Sequence, residues 1–381
     1  MSRVHWLGTG LSSIPGLRKL LKKRFEIIVW NRTVEKAKKL LGDLTNNIYK
    51  FDFNELEKQT KSGDILISML PASYHIDIAN LCLRKNANFV SSSYISKDLE
   101  KLNDTVKRKS LVFLNEVGLD PGIDHLMAHE LVKQYKECID YNENNIVEFF
   151  SFCGGLPKEP NDFCYKFSWS PLGVLKALKS EAKSIENFEQ VDTLRPWHNV
   201  KTHEIPSVNK ERFEVYPNRD SLPFINQYDF ENNWRVKRFV RGTLRNLGWK
   251  SAWKEIFEVI EKMNIERDQE KLEKLSNKLW EKYSYEDKEK DRVVLNVSLK
   301  ASRDNICIFD RSFLMDAWGD ESSTAMARLV SIPVALAVES VLKNEIPFGV
   351  SAAPKSPRIV AEWLQEIKKE VQSFNFINNY K

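Results

Sequence analysis

Through the first third of the chain, short apolar runs alternate with stretches whose apolar residues recur at helical spacing, the pattern of a parallel sheet covered on both faces by helices. Val4-His5-Trp6-Leu7 predicts the opening strand and Leu17 to Lys23 the first helix, with Pro15 near its start. Phe25-Glu26-Ile27-Ile28-Val29-Trp30 predicts a second strand. Asp64 to Pro71, Ala87 to Val90 and Leu111 to Glu116 predict further buried strands. Helices are expected from about His75 to Lys85 and Lys97 to Lys109, and Asn54 and Glu57 have the spacing of a capping box opening another. Together these elements make a Rossmann-type sheet of about six strands.

Past Gly118-Leu119-Asp120-Pro121-Gly122-Ile123-Asp124-His125, a turn-forming cluster entering a helix near Ile123, the pattern changes. Ile146 to Cys153 predicts a strand, and Val293 to Ala301 alternates Leu295, Val297 and Leu299 with Asn296, Ser298 and Lys300. Ser302-Arg303-Asp304-Asn305 turns that run back into Ile306-Cys307-Ile308-Phe309, so a half-exposed antiparallel sheet is expected. Between these strands, Trp249 to Met263 and Asp268 to Tyr283 carry Glu and Lys at spacings that support exposed helices. A long apolar helix opens at Ser323-Thr324-Ala325-Met326-Ala327-Arg328 and runs through Leu342. The expected architecture is α/β: a Rossmann dinucleotide-binding domain over residues 1–122, a second α/β domain over 123–245 and 291–329, and a small helical insertion over 246–290. The segment 330–381 is expected to return to the first domain.

With 381 residues, 42% of them hydrophobic, the chain can bury cores for two or three domains. Its net charge of +5 is small for that length, and the basic residues from Arg18 to Arg24 fit a solvated helix face, so no nucleic-acid partner is expected. No uncharged apolar run reaches membrane-spanning length and the first strand starts at once, so neither membrane nor secretory leader is expected and the predicted location is cytoplasmic. Cys82, Cys138, Cys153, Cys164 and Cys307 are scattered without metal-finger spacing and read as reduced thiols. His125 and His129 stand on one helix as paired zinc ligands would, but a third ligand and an intervening glutamate are missing, so no metal is expected.

The strand Val4 to Leu7 runs into Gly8-Thr9-Gly10, where two glycines allow a tight turn and close approach of a pyrophosphate to the helix N-terminus. Ser13 stands where the third glycine of this fingerprint is usual, and a plain strand-to-helix turn explains Gly-x-Gly about as well. The second strand ends in Asn31-Arg32-Thr33. At that position an acidic residue holds the ribose 2′-hydroxyl and an arginine accommodates a 2′-phosphate, so Arg32 favours NADP over NAD; the alternative is a solvated loop arginine.

Several segments resemble the saccharopine dehydrogenase family, and within it the NADP-dependent, glutamate-forming branch, the saccharopine reductases. They are Gly8-Thr9-Gly10 with Pro15, Asn31-Arg32-Thr33, Ser92-Ser93-Tyr94, Asn115 through His125, Cys153-Gly154-Gly155-Leu156-Pro157, Tyr165 through Ser170, Tyr216 through Ser221 and Arg241-Gly242-Thr243-Leu244-Arg245. The resemblance implies a Rossmann domain, an α/β substrate and dimerisation domain and a small helical domain, in a homodimer. It implies hydride exchange between NADP(H) and the bond joining glutamate nitrogen to carbon 6 of α-aminoadipate semialdehyde. For the cofactor it implies Thr9, Gly10, Leu11 and Ser12 at the phosphates, Asn31, Arg32 and Thr33 at the ribose phosphate, Asp52 and Phe53 near adenine, and Leu70 beside the dinucleotide. Ser92, Ser93, Leu119, Asp120 and Pro121 approach the nicotinamide end, with Ser168 or Ser170 closing over it.

The implied substrate carries three carboxylates, for which the guanidinium fork is suited. The resemblance assigns Arg219 and Arg245 to them, with Ser93, Tyr94, Asp120, Thr243 and Leu244 completing the grip. Plain readings stand beside these: a structural arginine, a packing tyrosine, a turn-forming aspartate. Asp120, Tyr94 and Cys153 are the candidates for moving a proton, although none has the unperturbed pKa of a neutral-pH acid or base. Proximity and orientation of the reactants are therefore expected to supply most of the catalysis. The rival readings are a carboxynorspermidine-type or lysine 6-dehydrogenase, which needs fewer carboxylate anchors, and a noncatalytic NADP-binding scaffold.

Overall fold

The computed structural model describes residues 2–206, 210–264, 267–286 and 289–380. The strands among them are β1 (Val4–Leu7), β2 (Ile27–Asn31), β3 (Ile48–Lys50), β4 (Ile65–Ser68), β5 (Asn88–Ser91), β6 (Val112–Leu114), β7 (Ile146–Pro157), β8 (Ala182–Glu186), β9 (Glu189–Thr193), β10 (Lys201–Glu204), β11 (Arg212–Pro217), β12 (Arg235–Arg245), β13 (Asp291–Arg303), β14 (Ile306–Trp318), β15 (Gly349–Ser351) and β16 (Ser373–Asn378). They fall into two compact units. The first runs to Leu126 and takes in Ala327–Ile367; the second holds Met127–Met326 and the residues from Lys368 on.

In the first unit a seven-stranded sheet runs β15-β6-β5-β4-β1-β2-β3, every adjacent pair parallel. β1 and β4 are buried throughout, as parallel strands covered on both faces must be. Strand order reverses between them, so the loops after β1 and β4 form the crevice where open α/β sheets bind ligands. β3 and β15, each of three residues, extend the sheet at its two edges beyond the expected strands. The helix near Asp52 also differs from expectation: Asp52, rather than Asn54, is its N-cap and accepts Glu55 N–H at 3.0 Å.

The loop after β1 owes its shape to two glycines used differently. Gly8 has φ +100°, and a Cβ there would lie 3.0 Å from Met69 O. Gly16, inside the helix Ile14–Lys22, lies against the helix Ala325–Leu342: a Cβ would stand 1.9 Å from Ser331 O, while its own N–H donates to Ser331 Oγ at 2.8 Å. Ala325–Leu342 is long and apolar enough to cross a membrane, yet 83% of it is buried inside the protein.

The second unit holds a nine-stranded mixed sheet with the path β10-β11-β12-β7-β13-β14-β16, β8 pairing β12 and β9 pairing β8. Three expectations need correction. β12 and β7 pair in parallel, which the long crossover between them, including the helix Pro171–Leu178, permits. β13 is buried on both faces over most of its length, because Asn296 and Ser298 are covered as well as Leu295, Val297 and Leu299. Asn296 is satisfied there by Phe313 O at 3.0 Å and the His203 ring at 3.1 Å. Finally, the expected return to the first unit holds for residues 330–367 but not for those from Lys368 on, since β16 pairs antiparallel with β14. The helices Trp249–Ala252, Lys254–Lys262 and Gln269–Tyr283 belong to the second unit. Trp249, Trp253, Phe257 and Leu272 share one core with Phe163, Tyr165, Leu175 and Tyr216.

Candidate functional site

The first unit presents a cradle for a dinucleotide at the carboxyl ends of β1 and β2. The helix Ile14–Lys22 has Pro at its first turn and no acidic residue there, so its positive N-terminal end is uncompensated. Space is open around Gly10, and Leu11 is exposed. Thr9 is buried, and its hydroxyl has no hydrogen-bond partner among the described residues. Its N–H is taken by Asn31 Oδ1 at 3.1 Å, while Asn31 Nδ2 donates to Thr33 O at 2.8 Å. Asn31 thus ties the glycine loop to the end of β2. Next to it, Arg32 is exposed and makes no hydrogen bond or ion pair with any described residue. A cationic fork without a protein partner, a buried hydroxyl without one and an open glycine fit a phosphorylated dinucleotide. Phe53 and Leu70 pack against the sheet's core cluster while staying partly exposed, and Asp52 caps its helix.

The carboxyl ends of β5 and β6 bring together a second group. Tyr94 donates its hydroxyl to Asp120 Oδ1 at 3.1 Å. Glu116 N–H donates to Ser93 O at 3.1 Å, and Ile95 N–H donates to Glu116 Oε1 at 3.0 Å. Ser92 lies under the turn, since a Cβ on Gly118 would stand 3.0 Å from Ser92 Cβ. Leu119 is buried, and a Cβ on Gly122 would stand 2.1 Å from Gly118 O, so the turn closes tightly beneath Asp120 and Pro121. His125 is buried with Nε2 2.9 Å from Glu116 Oε2 and Nδ1 3.4 Å from Asp124 Oδ2, so it braces this turn. His129 lies edge-on to Tyr228, and among the described residues no group of three His, Cys, Asp or Glu could hold a metal ion. All five cysteines are free thiols.

In the second unit the candidate residues sit on three adjacent strands. Cys153 of β7 is the register partner of Thr243 of β12, Leu244 pairs with Val215 of β11, and Arg219 follows the end of β11 in a left-handed conformation with φ 58°. Arg219 is exposed. Arg245 is 6% exposed, and among the described residues its side chain makes one hydrogen bond, from Nη1 to Leu244 O at 3.1 Å. Its guanidinium carbon lies 4.8 Å from the Tyr165 ring, 5.5 Å from Tyr216 and 5.6 Å from Trp249, with no carboxylate beside it among the described residues. Tyr165, Tyr216 and Trp249 were not among the expected site residues; they belong to the core of this unit. Ser168 is buried and its hydroxyl has no hydrogen-bond partner among the described residues; a Cβ on Gly155 would stand 3.5 Å from it. Ser170 instead caps the helix Pro171–Leu178 through Gly173 N–H at 3.1 Å.

Comparisons with known proteins agree with this geometry. Residues 4–114 match the family model described as saccharopine dehydrogenase NADP binding domain, and residues 118–372 match that of the saccharopine dehydrogenase C-terminal domain. The chain is similar to a saccharopine dehydrogenase [NADP(+), L-glutamate-forming] of Pyricularia oryzae, 26% identical with 96% of each chain covered. It is also similar to the mitochondrial alpha-aminoadipic semialdehyde synthase of Bos taurus, 27% identical over 97% of this chain and 47% of that one. Among solved structures it resembles apo saccharopine dehydrogenase (L-Glu forming) from Saccharomyces cerevisiae, with a TM-score of 0.80, 26% identity and coverage of 99% and 100%.

Proposed function

The chain belongs to the saccharopine dehydrogenase family, and we propose that it is an NADP-dependent oxidoreductase of lysine metabolism interconverting saccharopine with L-glutamate and α-aminoadipate 6-semialdehyde. In the reducing direction the glutamate amine adds to the aldehyde and loses water to give an imine; a hydride at carbon and a proton at nitrogen then complete the secondary amine. NADP(H), when bound, supplies or takes that hydride. Thr9, Gly10, Leu11 and Ser12 hold its phosphates and Arg32 its 2′-phosphate, with Asn31 and Thr33 shaping that end. Asp120, hydrogen-bonded to Tyr94, is placed to hold an ammonium or the reacting nitrogen. No single side chain is needed as an acid or base if the reactants are well oriented.

One observation carries the substrate assignment. Arg245 is a buried guanidinium with three aromatic rings around it and no carboxylate of the protein beside it among the described residues. A buried cation left without an anion is costly, so the site is built for an anion that arrives with the ligand. A substrate with three carboxylates supplies one, and the planar fork selects it in bidentate form. Substituting Arg245→Lys keeps the charge and loses the fork. Each charged hydrogen bond is worth roughly 1.5–3 kcal/mol, so KM for saccharopine rises about 10- to 100-fold while NADPH affinity stays unchanged. The assay follows NADPH absorbance with saccharopine as substrate and lysine as control; preferential turnover of lysine, or an unchanged KM in the variant, would overturn the assignment. The family resemblance also supports a homodimer, and a monomer mass in light scattering would exclude it.

A further inference from the structure

We propose that His75, which the reaction itself does not call on, is a positioning residue that holds the Ser93 hydroxyl so that its hydrogen is donated to a substrate carboxylate. The inference rests on the reading of the reaction given above. His75 opens the helix His75–Lys85 just past the loop that follows β4, and it is 4% exposed. Its Nδ1 lies 2.8 Å from Ser68 Oγ and its Nε2 lies 2.9 Å from Ser93 Oγ. Ser68 and Ser91 end neighbouring strands as register partners, so the imidazole spans the carboxyl edge of β4 and β5 and reaches the half-exposed Ser93 beyond it. The Phe89 ring meets it edge-on at 6.2 Å and excludes water from that side.

The tautomer follows from which buried hydroxyls must be satisfied. Ser68 is 1% exposed and its hydroxyl has one partner, His75 Nδ1, among the described residues. If Nδ1 carried the proton, the Ser68 hydrogen would be buried with no acceptor, at the cost of an unmade hydrogen bond. With Nδ1 bare, Ser68 donates to it, and Nε2–H donates to Ser93 Oγ. Ser91 Oγ also faces Nε2, but at 3.5 Å, and it already accepts Ser93 N–H at 3.1 Å, so the shorter Ser68 bond decides. Burial pushes the His75 pKa down to about 4, so the ring is neutral at physiological pH and keeps one donor and one acceptor. Ser93, whose hydroxyl has no partner but the ring among the described residues, has its own O–H left to give. An O–H donor whose oxygen is already polarised by a ring N–H suits an anionic acceptor.

Nitrogen-15 spectra of the labelled wild-type protein report the tautomer directly: the Nε2–H form supports the proposal and the Nδ1–H form overturns it, whether or not any variant folds. In kinetics, His75→Leu and Ser93→Ala each raise KM for saccharopine about tenfold, and the double variant is no worse than either. His75→Gln, whose amide N–H reaches the Ser93 side, recovers most of the loss, and in every variant the rise in KM for saccharopine exceeds any rise in the Kd for NADPH. An unchanged KM in Ser93→Ala, or a loss confined to NADPH binding, overturns the positioning role while leaving the reaction assigned. A wild-type protein inert toward saccharopine overturns the reading of the reaction instead.

Discussion

Removing the Arg32 guanidinium isolates the coenzyme's extra phosphate better than any other single change in this protein. Arg32 follows Asn31 at the end of β2, is exposed, and makes no hydrogen bond or ion pair with a described residue, so Arg32→Ala breaks nothing in the fold. Surface substitutions of that kind shift stability by less than about 0.5 kcal/mol. What remains is the ligand's loss. A charge-assisted hydrogen bond to a phosphate is worth roughly 1.5–3 kcal/mol, and solvent exposure with physiological salt places this one at the lower end. The Kd for NADPH therefore rises about 10- to 30-fold, whereas that for NADH, which has no 2′-phosphate, changes by less than about twofold. Titration by quenching of tryptophan fluorescence measures both, and repeating it at high salt should shrink the wild-type preference for NADPH. Equal losses for the two coenzymes would refute the assignment, because they would mean that Arg32 acts on the loop rather than on the phosphate.

Two further predictions concern the frame that holds this site. In Gly16→Ala the new Cβ meets the backbone oxygen of Ser331, which cannot rotate away, so the helices Ile14–Lys22 and Ala325–Leu342 must separate. Overpacking costs about 1–3 kcal/mol, and this contact belongs at the upper end, seen as a lowered melting temperature; an unchanged one would refute the packing. Asp64 is 2% exposed and accepts from Arg3 N–H at 3.0 Å, Lys61 N–H at 2.8 Å and the His5 ring at 3.1 Å. Burial alone would raise its pKa, but the hydrogen bonds from His5, Lys61 and Arg3 outweigh it and hold the carboxyl at about 2. Since the folded value lies below the unfolded one, its stabilisation is present above pH 4 and is lost as pH falls from about 4 to 2. Asp64→Asn removes about 2 kcal/mol at neutral pH and flattens that part of the acid unfolding curve; an unaltered curve would refute the linkage.

The parallel sheet was legible because its strands are continuous apolar runs and its helices carry short punctuating signals, both local properties of the chain. What escaped was set by distant partners. β3 and β15 are too short to leave a periodic signal, and each exists because a neighbouring strand offers it an edge. Asn296 and Ser298 alternate with apolar residues as a solvent face would, yet His203 and the backbone of β14 cover Asn296. Arg245 was recognisable as a carboxylate binder by resemblance, but the box of Tyr165, Tyr216 and Trp249 that isolates its charge joins residues from separate segments. His75 gave no signal, since a lone histidine at a helix start is usually packing.

The departure at Ser13 shows how a motif can lose a residue and keep its physics. The third glycine of the dinucleotide fingerprint serves close packing of the helix. Here Ser13 Oγ donates to Gly8 O at 2.8 Å and accepts from Trp6 Nε1 at 2.8 Å, so the hydroxyl locks the turn from inside. Close approach is provided instead by Gly16 against Ser331, a residue 315 positions away. The end of β2 is divided in the same manner. Asn31 spends its side chain on Thr9 N–H, which removes one donor from the phosphate loop, and the neighbouring Arg32 remains available. With one loop donor already taken, more of the coenzyme's affinity must come from that cation and from the uncompensated helix N-terminus; the helix end serves either coenzyme alike, and the cation alone selects the phosphorylated one.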